Sequence, residues 1–360
     1  MSAAELEVDA RRLRDVREGR LSSGPETLQV NLGHACNLNC IFCWNHSPLM
    51  PRRSRRWHRE RLSERHARNV ADSLASLRPD RLMLSGQGEP LMQRSAPLLL
   101  RAAREAGIPV IVQTNGVGGV SVADLAGVER LMVNLSAATQ AGYEASHPGR
   151  GALLHRVVER LLALERQRRS GGGPAVTLMA VVQRRNLEEM EPLVALAARV
   201  GASAVHFKGM EMVSGLECLA LGEKDRATAW ERLATAEERG RQLGVQVHAA
   251  HLRQVLRSEE PRRFTEDLAG TPCVMGWYYL RVTCDGRVMF CCKDKLVGHL
   301  DEAPLYRLWR SPSYHLHRLA GRDGGADSEL FDDKCRACSN FERNQRVLER
   351  VGEPVRKQAT

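Results

Sequence analysis

Aromatic residues make up only 4% of this 360-residue chain, and no stretch approaches the roughly 20 consecutive apolar residues that a membrane span requires. No membrane partner is expected. The N-terminus, MSAAELEVDARRLRDVREGRL, carries its charges in a helical pattern and lacks the apolar segment of a secretory signal, so a cytoplasmic location is expected. Lysine is scarce as well, with six among the 53 basic residues. The net charge of +10 therefore reads as an arginine bias along the whole chain rather than one selected patch. No recognised nucleic-acid module accompanies it, and nucleic acid is not an expected partner. An anionic substrate group near RRSRRWHRERLSERHAR, residues 52 to 68, is compatible with that segment. What the chain has is 43% hydrophobic residues and length for about two domains, enough for a sizeable core.

Apolar runs of strand length recur at 27–32, 81–86, 109–114, 130–136, 176–182 and 204–209. Helical patterns separate them, among them SERHARNVADSLASL with Ser63 as N-cap, APLLLRAAREAG, HRVVERLLALERQRR and LEEMEPLVALAARVG. A helix after each strand makes the sheet parallel. Six such units predict an α/β fold, a partial (β/α)6 TIM-like barrel over 27–250, preceded by a helical extension over 1–26. GGGP at 171–174 reads as a turn into the fifth strand. In such a barrel, chemistry gathers where strands end. There stand Cys36 to Cys43, GQGEP (86–90), TNG (114–116) and Ser136.

The ten cysteines are clustered: Cys36, Cys40 and Cys43, then Cys218, then Cys273, Cys284, Cys291, Cys292, Cys335 and Cys338. In a reducing compartment this distribution points to metal or redox chemistry rather than disulfides. A [4Fe-4S] cluster normally takes four thiolates, so three in a C-x3-C-x2-C spacing leave one iron open to another ligand. Zinc is the rival occupant, with His34 or His46 as a fourth ligand.

CNLNCIFC, with Phe42 before its third cysteine, resembles the signature of the radical S-adenosylmethionine (radical SAM) superfamily. GQGEP is similar to that superfamily's GGEP segment, with Gln87 where a glycine would stand, and TNG and NLSAATQAGYEASHPG are similar to later segments. The resemblance implies a cluster on Cys36, Cys40 and Cys43 that binds S-adenosylmethionine and yields a 5'-deoxyadenosyl radical. It also implies a methionine-amine segment at Gly86, Gly88, Glu89 and Pro90, a ribose contact at Ser136, a methionine-carboxylate contact at Asn186, and an external one-electron reductant of flavodoxin or ferredoxin type. Without the resemblance, GQGEP is a turn and Ser136 a helix cap.

In the C-terminal part, Cys273, Gly286 and Cys291 form C-x12-G-x4-C around a CDG hairpin turn, followed by Cys335-x2-Cys338. This resembles the twitch domain, the shortened SPASM form, placed at 251–350 before a tail at 351–360. The resemblance implies a second [4Fe-4S] cluster on Cys273, Cys291, Cys335 and Cys338. Cys284 and Cys292 read as small apolar hairpin residues, or as replacements for Cys291. The layout is similar to twitch enzymes that oxidise carbinol carbons of aminocyclitols and sugars, which implies a small-molecule substrate, with Glu211 or Glu217 as base. Two alternatives stand beside oxidation: epimerisation with Cys218 as hydrogen donor, and radical modification of a ribosomal peptide. The short N-terminal region argues against the peptide-recognition domain of peptide-modifying relatives.

Overall fold

The computed structural model describes residues 3–210, 212–257, 271–291, 295–325, 328–329, 335, 338 and 340–352. Among these lie strands β1 (Thr27–Asn31), β2 (Arg81–Ser85), β3 (Val110–Thr114), β4 (Arg130–Asn134), β5 (Ala175–Val182), β6 (Ala204–Gly209), β7 (Gln246–His248), β8 (Tyr279–Val282), β9 (Arg287–Met289) and β10 (Leu296–His299). They form one sheet in the order β10-β9-β8-β1-β2-β3-β4-β5-β6-β7. From β1 to β7 every pairing is parallel, as a partial barrel requires.

Each crossover helix shows why it packs. In Glu64–Leu77 the buried residues Ala67, Val70, Leu74 and Leu77 recur at helical spacing, and the Ser63 side chain accepts the His66 amide as N-cap. Ala96–Glu105 buries Ala96, Leu99, Leu100 and Ala103 in the same way. Such side chains each contribute about 1.5–3 kcal/mol when fully buried. One crossover departs from expectation. Between β3 and β4 the described helical structure is the single turn Ala123–Leu125, because Gly116, Gly118 and Gly119, all at positive φ, take the first half of the connection out of helical backbone. β7 escapes a periodicity search because its three residues present no buried side chain.

The C-terminal region is joined to the barrel by the sheet itself. β8 pairs in parallel with β1, Leu28 opposite Leu280 and Val30 opposite Val282, and β9 and β10 continue antiparallel. Gly286, at φ +92, turns the hairpin between β8 and β9 and thereby places Cys284 on the rim where β1 ends. The helix Ala250–Arg257 buries Leu252, Val255 and Leu256, and Val255 lies against Gly209 of β6. Residues 250–257 thus pack against the end of β6.

The N-terminal helix Ala3–Glu18 is a strap between the two parts. Arg12, 1% exposed, donates to both carboxylate oxygens of Asp80 at 3.0 and 3.1 Å and to the Gly24 carbonyl at 3.0 Å. On the other side Arg17 donates to the Val351 carbonyl at 2.7 Å, and Trp277 and Trp309 donate their indole N–H groups to the Arg20 and Ser23 carbonyls. No helix of the described residues is long and apolar enough to cross a membrane.

Candidate active site and auxiliary centre

The loop that follows β1 carries Cys36, Cys40 and Cys43, all half-buried. Its path is fixed from two sides. The Ile41 amide donates to the Ser146 carbonyl at 3.0 Å, Asn39 donates to the Pro148 carbonyl at 2.9 Å, and buried Ile41 packs with Met210, Leu216 and Leu219 beyond β6. Phe42 sits edge-on to His147 with ring centres 6.2 Å apart. Burial pushes the Cys36 thiol up to about 11, with Glu89 and Cys43 adding like charge. Cys40 is raised further by burial and by its two neighbours. Cys36 and Cys40 thus resist ionising, and a bound cationic group removes that resistance.

The surroundings fit such a group. Four buried side-chain atoms around the loop have no hydrogen-bond partner, Asn39 Oδ1, Asn45 Nδ2, Tyr143 OH and Ser146 Oγ. The Tyr143 hydroxyl is raised out of the ordinary phenol range by burial and by the nearby Cys40 and Cys36. Polar atoms concentrated beside three thiols, without partners of their own, are what a polar inorganic group and its ligand would satisfy.

The segment after β2 is drawn against this loop. A Cβ on Gly88 would lie 2.3 Å from the Ala35 carbonyl oxygen, so only glycine permits the approach. The Glu89 amide donates to the Ala35 carbonyl at 2.9 Å. Gln87, at the position where the resembling motif has glycine, is exposed, and its carbonyl accepts from His46 Nε2 at 2.9 Å. Glu89 itself is 2% exposed. Its carboxylate accepts from Thr114 Oγ1 at 2.6 Å, the Leu91 amide at 3.0 Å and the Asn115 amide at 2.7 Å. Burial raises it to about 7 against the pull of those donors. Glu89 thus holds the β2 and β3 loops together. Asn115 in turn donates to Asn37 Oδ1 at 2.6 Å and reaches Cys36 Sγ at 3.8 Å.

Ser136 and Asn186 occupy the ends of β4 and β5. Ser136 is fully buried, donates to Asn134 Oδ1 at 3.3 Å and accepts from the Val181 amide at 3.2 Å. Asn186 donates to the Ser136 and Val181 carbonyls at 3.0 and 2.9 Å and accepts from the Gln183 amide at 2.9 Å. Both side chains brace the rim rather than project from it. Cys218 is exposed, between Leu216 and Leu219, which pack on Ile41. Glu217 accepts from the Gly215 amide at 2.8 Å. Glu211 and Cys292 lie outside the described residues.

In the C-terminal region Cys273, Cys291, Cys335 and Cys338 are all buried. The Tyr314 hydroxyl sits 2.8 Å from the Tyr279 carbonyl and 2.9 Å from that of Phe290, and both Cys273 and Cys291 lie close enough to raise its pKa, though burial is the main cause. The second pair precedes the helix Phe341–Val351. Phe341 packs on Cys335 and Cys338, and Asn344 accepts from the Val274 amide at 2.9 Å and donates to the Pro272 carbonyl at 2.7 Å. The helix thus touches the second pair through Phe341 and the backbone on either side of Cys273 through Asn344. Cys284 lies elsewhere, on the rim, its Sγ 3.3 Å from His34 Nε2.

The comparisons with known proteins agree with this geometry. Residues 30–197 match the radical SAM superfamily, and residues 273–339 match the SPASM iron–sulfur cluster-binding domain. The chain thus carries a radical SAM domain and, C-terminal to it, a SPASM domain. Its cofactors are S-adenosylmethionine and [4Fe-4S] clusters, one in each domain. It is 25% identical over 340 residues to a PqqA peptide cyclase of Gluconobacter oxydans, covering 90% of this chain and 85% of that one. An AdoMet-dependent heme synthase of Methanosarcina barkeri is 26% identical over 336 residues, covering 88% and 89%. Among solved structures, SuiB of Streptococcus suis bound to S-adenosylmethionine superposes with a TM-score of 0.61 at 16% identity, over 92% of this chain and 75% of that one. These relatives are named for a peptide and for heme, and the aminocyclitol resemblance read from the motif layout finds no support in them.

Proposed function

We propose that this enzyme modifies a peptide, removing a hydrogen atom from a C–H bond of an amino-acid residue and forming a crosslink from the resulting radical. The observation that carries this reading is the similarity to a peptide cyclase over nine-tenths of the chain. The rim agrees with a chain-like substrate. Trp44, Leu49 and Met92, on the loops after β1 and β2, are 47%, 40% and 42% exposed, and side chains of that size offer apolar contacts to a peptide rather than to a small polyol.

S-adenosylmethionine on the reduced cluster supplies the 5'-deoxyadenosyl radical that takes the hydrogen atom. Cys36, Cys40 and Cys43 hold that cluster, and Phe42 and Tyr143 close the side toward His147. Gly88 lets the β2 loop approach the cysteine loop, and Glu89 fixes that loop so that the backbone of Gly86 to Pro90 faces the methionine amine. Ser136 and Asn186 set the shape of the rim that receives the ribose and carboxylate. Cys273, Cys291, Cys335 and Cys338 would hold the auxiliary cluster, which would supply a one-electron acceptor. The reductant is an external one-electron donor of flavodoxin or ferredoxin type.

A second reading rests on Cys218, exposed on the segment that packs against Ile41. A thiol there could return a hydrogen atom to the opposite face of a peptide Cα and leave a D-residue. Anaerobic turnover of reconstituted enzyme against peptides, aminocyclitols, sugars and porphyrins, in deuterated water, separates these readings. Peptide-dependent 5'-deoxyadenosine with a product two mass units lighter supports the crosslink. A gain of one unit, abolished in Cys218→Ala, supports epimerisation. Stimulation by an aminocyclitol or sugar alone, with loss of two units, restores carbinol oxidation and overturns the peptide reading.

A further inference from the structure

Between Arg52 and Arg61 the chain carries Arg52, Arg53, Arg55, Arg56, Arg59 and Arg61, all exposed. The one acid in this stretch, Glu60, faces His34 at 3.3 Å. Among the described residues none of the six guanidiniums is in an ion pair, although Arg53 lies 5.5 Å from the Trp57 ring centre. Some exposed arginines elsewhere are matched, as where Arg168 and Arg169 meet Glu165, and others among the described residues are not. A composition bias explains many arginines. Six of them within ten residues, with the one acid among them facing His34, concentrate positive charge in one place.

The segment is also fixed in place. Trp57 stacks on His34 with ring centres 4.2 Å apart, the His34 amide donates to the Glu60 carbonyl at 3.1 Å and the Leu62 amide to the Leu32 carbonyl at 2.9 Å. The segment is therefore anchored on His34, two residues before Cys36. Next to it opens a cavity of about 610 Å³ lined by Arg61, Ser63, Arg94 and Ser95, among others. The helices Glu64–Leu77 and Ala96–Glu105 both begin at this cavity, so their amide ends favour negative charge there. Ser95 is 8% exposed, and its hydroxyl has no partner.

We propose that this arginine segment and the cavity beside it form the docking site for an acidic stretch of the peptide substrate, whose carboxylates meet the guanidiniums while a more distant part reaches the rim. The inference rests on the peptide reading and adds a required chemistry to it. Guanidinium groups pair carboxylates through two parallel hydrogen bonds. An array of them captures an acidic chain by charge and leaves its remaining sequence free to vary.

The test uses the reconstituted holoenzyme and a fluorescent glutamate-rich peptide, with a glutamine-rich peptide of equal length and a single-stranded oligonucleotide as comparisons. The glutamate peptide should bind, and the glutamine peptide should bind at least about tenfold more weakly. The triple variant Arg55→Gln, Arg56→Gln, Arg59→Gln should lose about tenfold in affinity for the glutamate peptide. Arg166→Gln, an exposed arginine at the end of a helix on the opposite rim, should lose none. Salt at about 1 M, where the screening length is about 3 Å, should mimic the triple variant. Equal binding of the two peptides, or an unchanged triple variant, overturns the proposal, as does tighter, arginine-dependent binding of the oligonucleotide. Turnover of neutral peptides that is indifferent to the three substitutions would overturn the docking site alone and leave the peptide reading standing. Arginine-dependent binding of the acidic peptide with turnover only of a sugar would instead remove the peptide reading on which the site rests.

Discussion

The Cys284 thiol stands 3.3 Å from His34 Nε2, a contact between the hairpin of the SPASM domain and the loop that precedes Cys36. The other ring nitrogen, Nδ1, lies 3.1 Å from the Trp57 carbonyl. A carbonyl only accepts, so Nδ1 carries the proton and Nε2 receives the thiol hydrogen. Burial favours both uncharged forms, lowering His34 and raising Cys284 to about 12. The three side chains of Cys284, His34 and Glu60 bring their ligand-type atoms within 4.8 Å of one another, so the contact locks the arginine segment to the hairpin as well.

We propose on this contact that Cys284 serves the interface and Cys291 the auxiliary centre. Cys284→Ala should retain its full iron, and Cys291→Ala should lose up to about four irons per chain. Iron analysis of the two anaerobically reconstituted variants decides this. Equal losses would show that Cys284 is a ligand.

Glu89→Gln keeps the shape of the side chain but turns an N–H2 group toward an N–H or O–H donor. The wild-type carboxylate accepts three such bonds, so the variant should lose about 2 kcal/mol of stability and bind S-adenosylmethionine about tenfold more weakly, with iron content unchanged. Denaturant titration and equilibrium dialysis would read the two effects. Wild-type values in both would mean that the carboxylate does not hold the loops.

His147 is 1% exposed, and burial depresses its pKa from 6.5 to about 4. Between those values the unfolded chain takes up a proton that the folded chain refuses. The stability associated with neutral His147 is thus present above pH 6.5 and is lost as the pH falls toward 4. From about pH 8 to about pH 5 the loss from this residue should be roughly 2 kcal/mol. Urea unfolding of wild type and His147→Met over that range should show wild type losing more by this amount. Parallel pH profiles would contradict it.

Arg12→Met removes one side of a pair in which Arg12 is 1% and Asp80 30% exposed. A fully buried pair broken in this way costs about 3–5 kcal/mol. Partial exposure of Asp80 reduces the expected loss to about 2 kcal/mol. The midpoint of urea unfolding should fall accordingly, and an unchanged midpoint would mean that the N-terminal helix contributes little to holding the barrel and the SPASM domain together.

Much of the barrel is legible from local pattern. All six apolar runs are strands, and Ser63 caps the helix it precedes, because strand periodicity and cap chemistry are encoded within a few residues. What spans the chain is less visible. Nothing near Tyr279 announces that β8 will pair with β1, since a short buried strand reads alike in a separate domain and in a shared sheet. The pairing of His34 with Cys284 depends on that register. Cys284 looks like an apolar hairpin residue until its neighbour is known. Composition also hides the arginine segment, because counting charges says nothing about where the acids point. The cysteine spacing carries the cofactor chemistry because thiolate ligands must lie within reach of one cluster, whereas Ser136 and Asn186 look like ligand contacts in sequence and are engaged by the backbone of β5 and its turn in the fold.

The peptide reading is tested most directly by following the abstracted hydrogen. Reconstituted enzyme, S-adenosylmethionine and a chemical reductant would be incubated anaerobically with a library of acidic peptides deuterated at their C–H positions, and 5'-deoxyadenosine analysed by mass spectrometry. Deuterium in 5'-deoxyadenosine, at one equivalent per modified peptide, is the result expected if a peptide C–H bond is the site of attack. Unlabelled 5'-deoxyadenosine from every peptide, together with label transfer from a deuterated aminocyclitol or sugar, would contradict it.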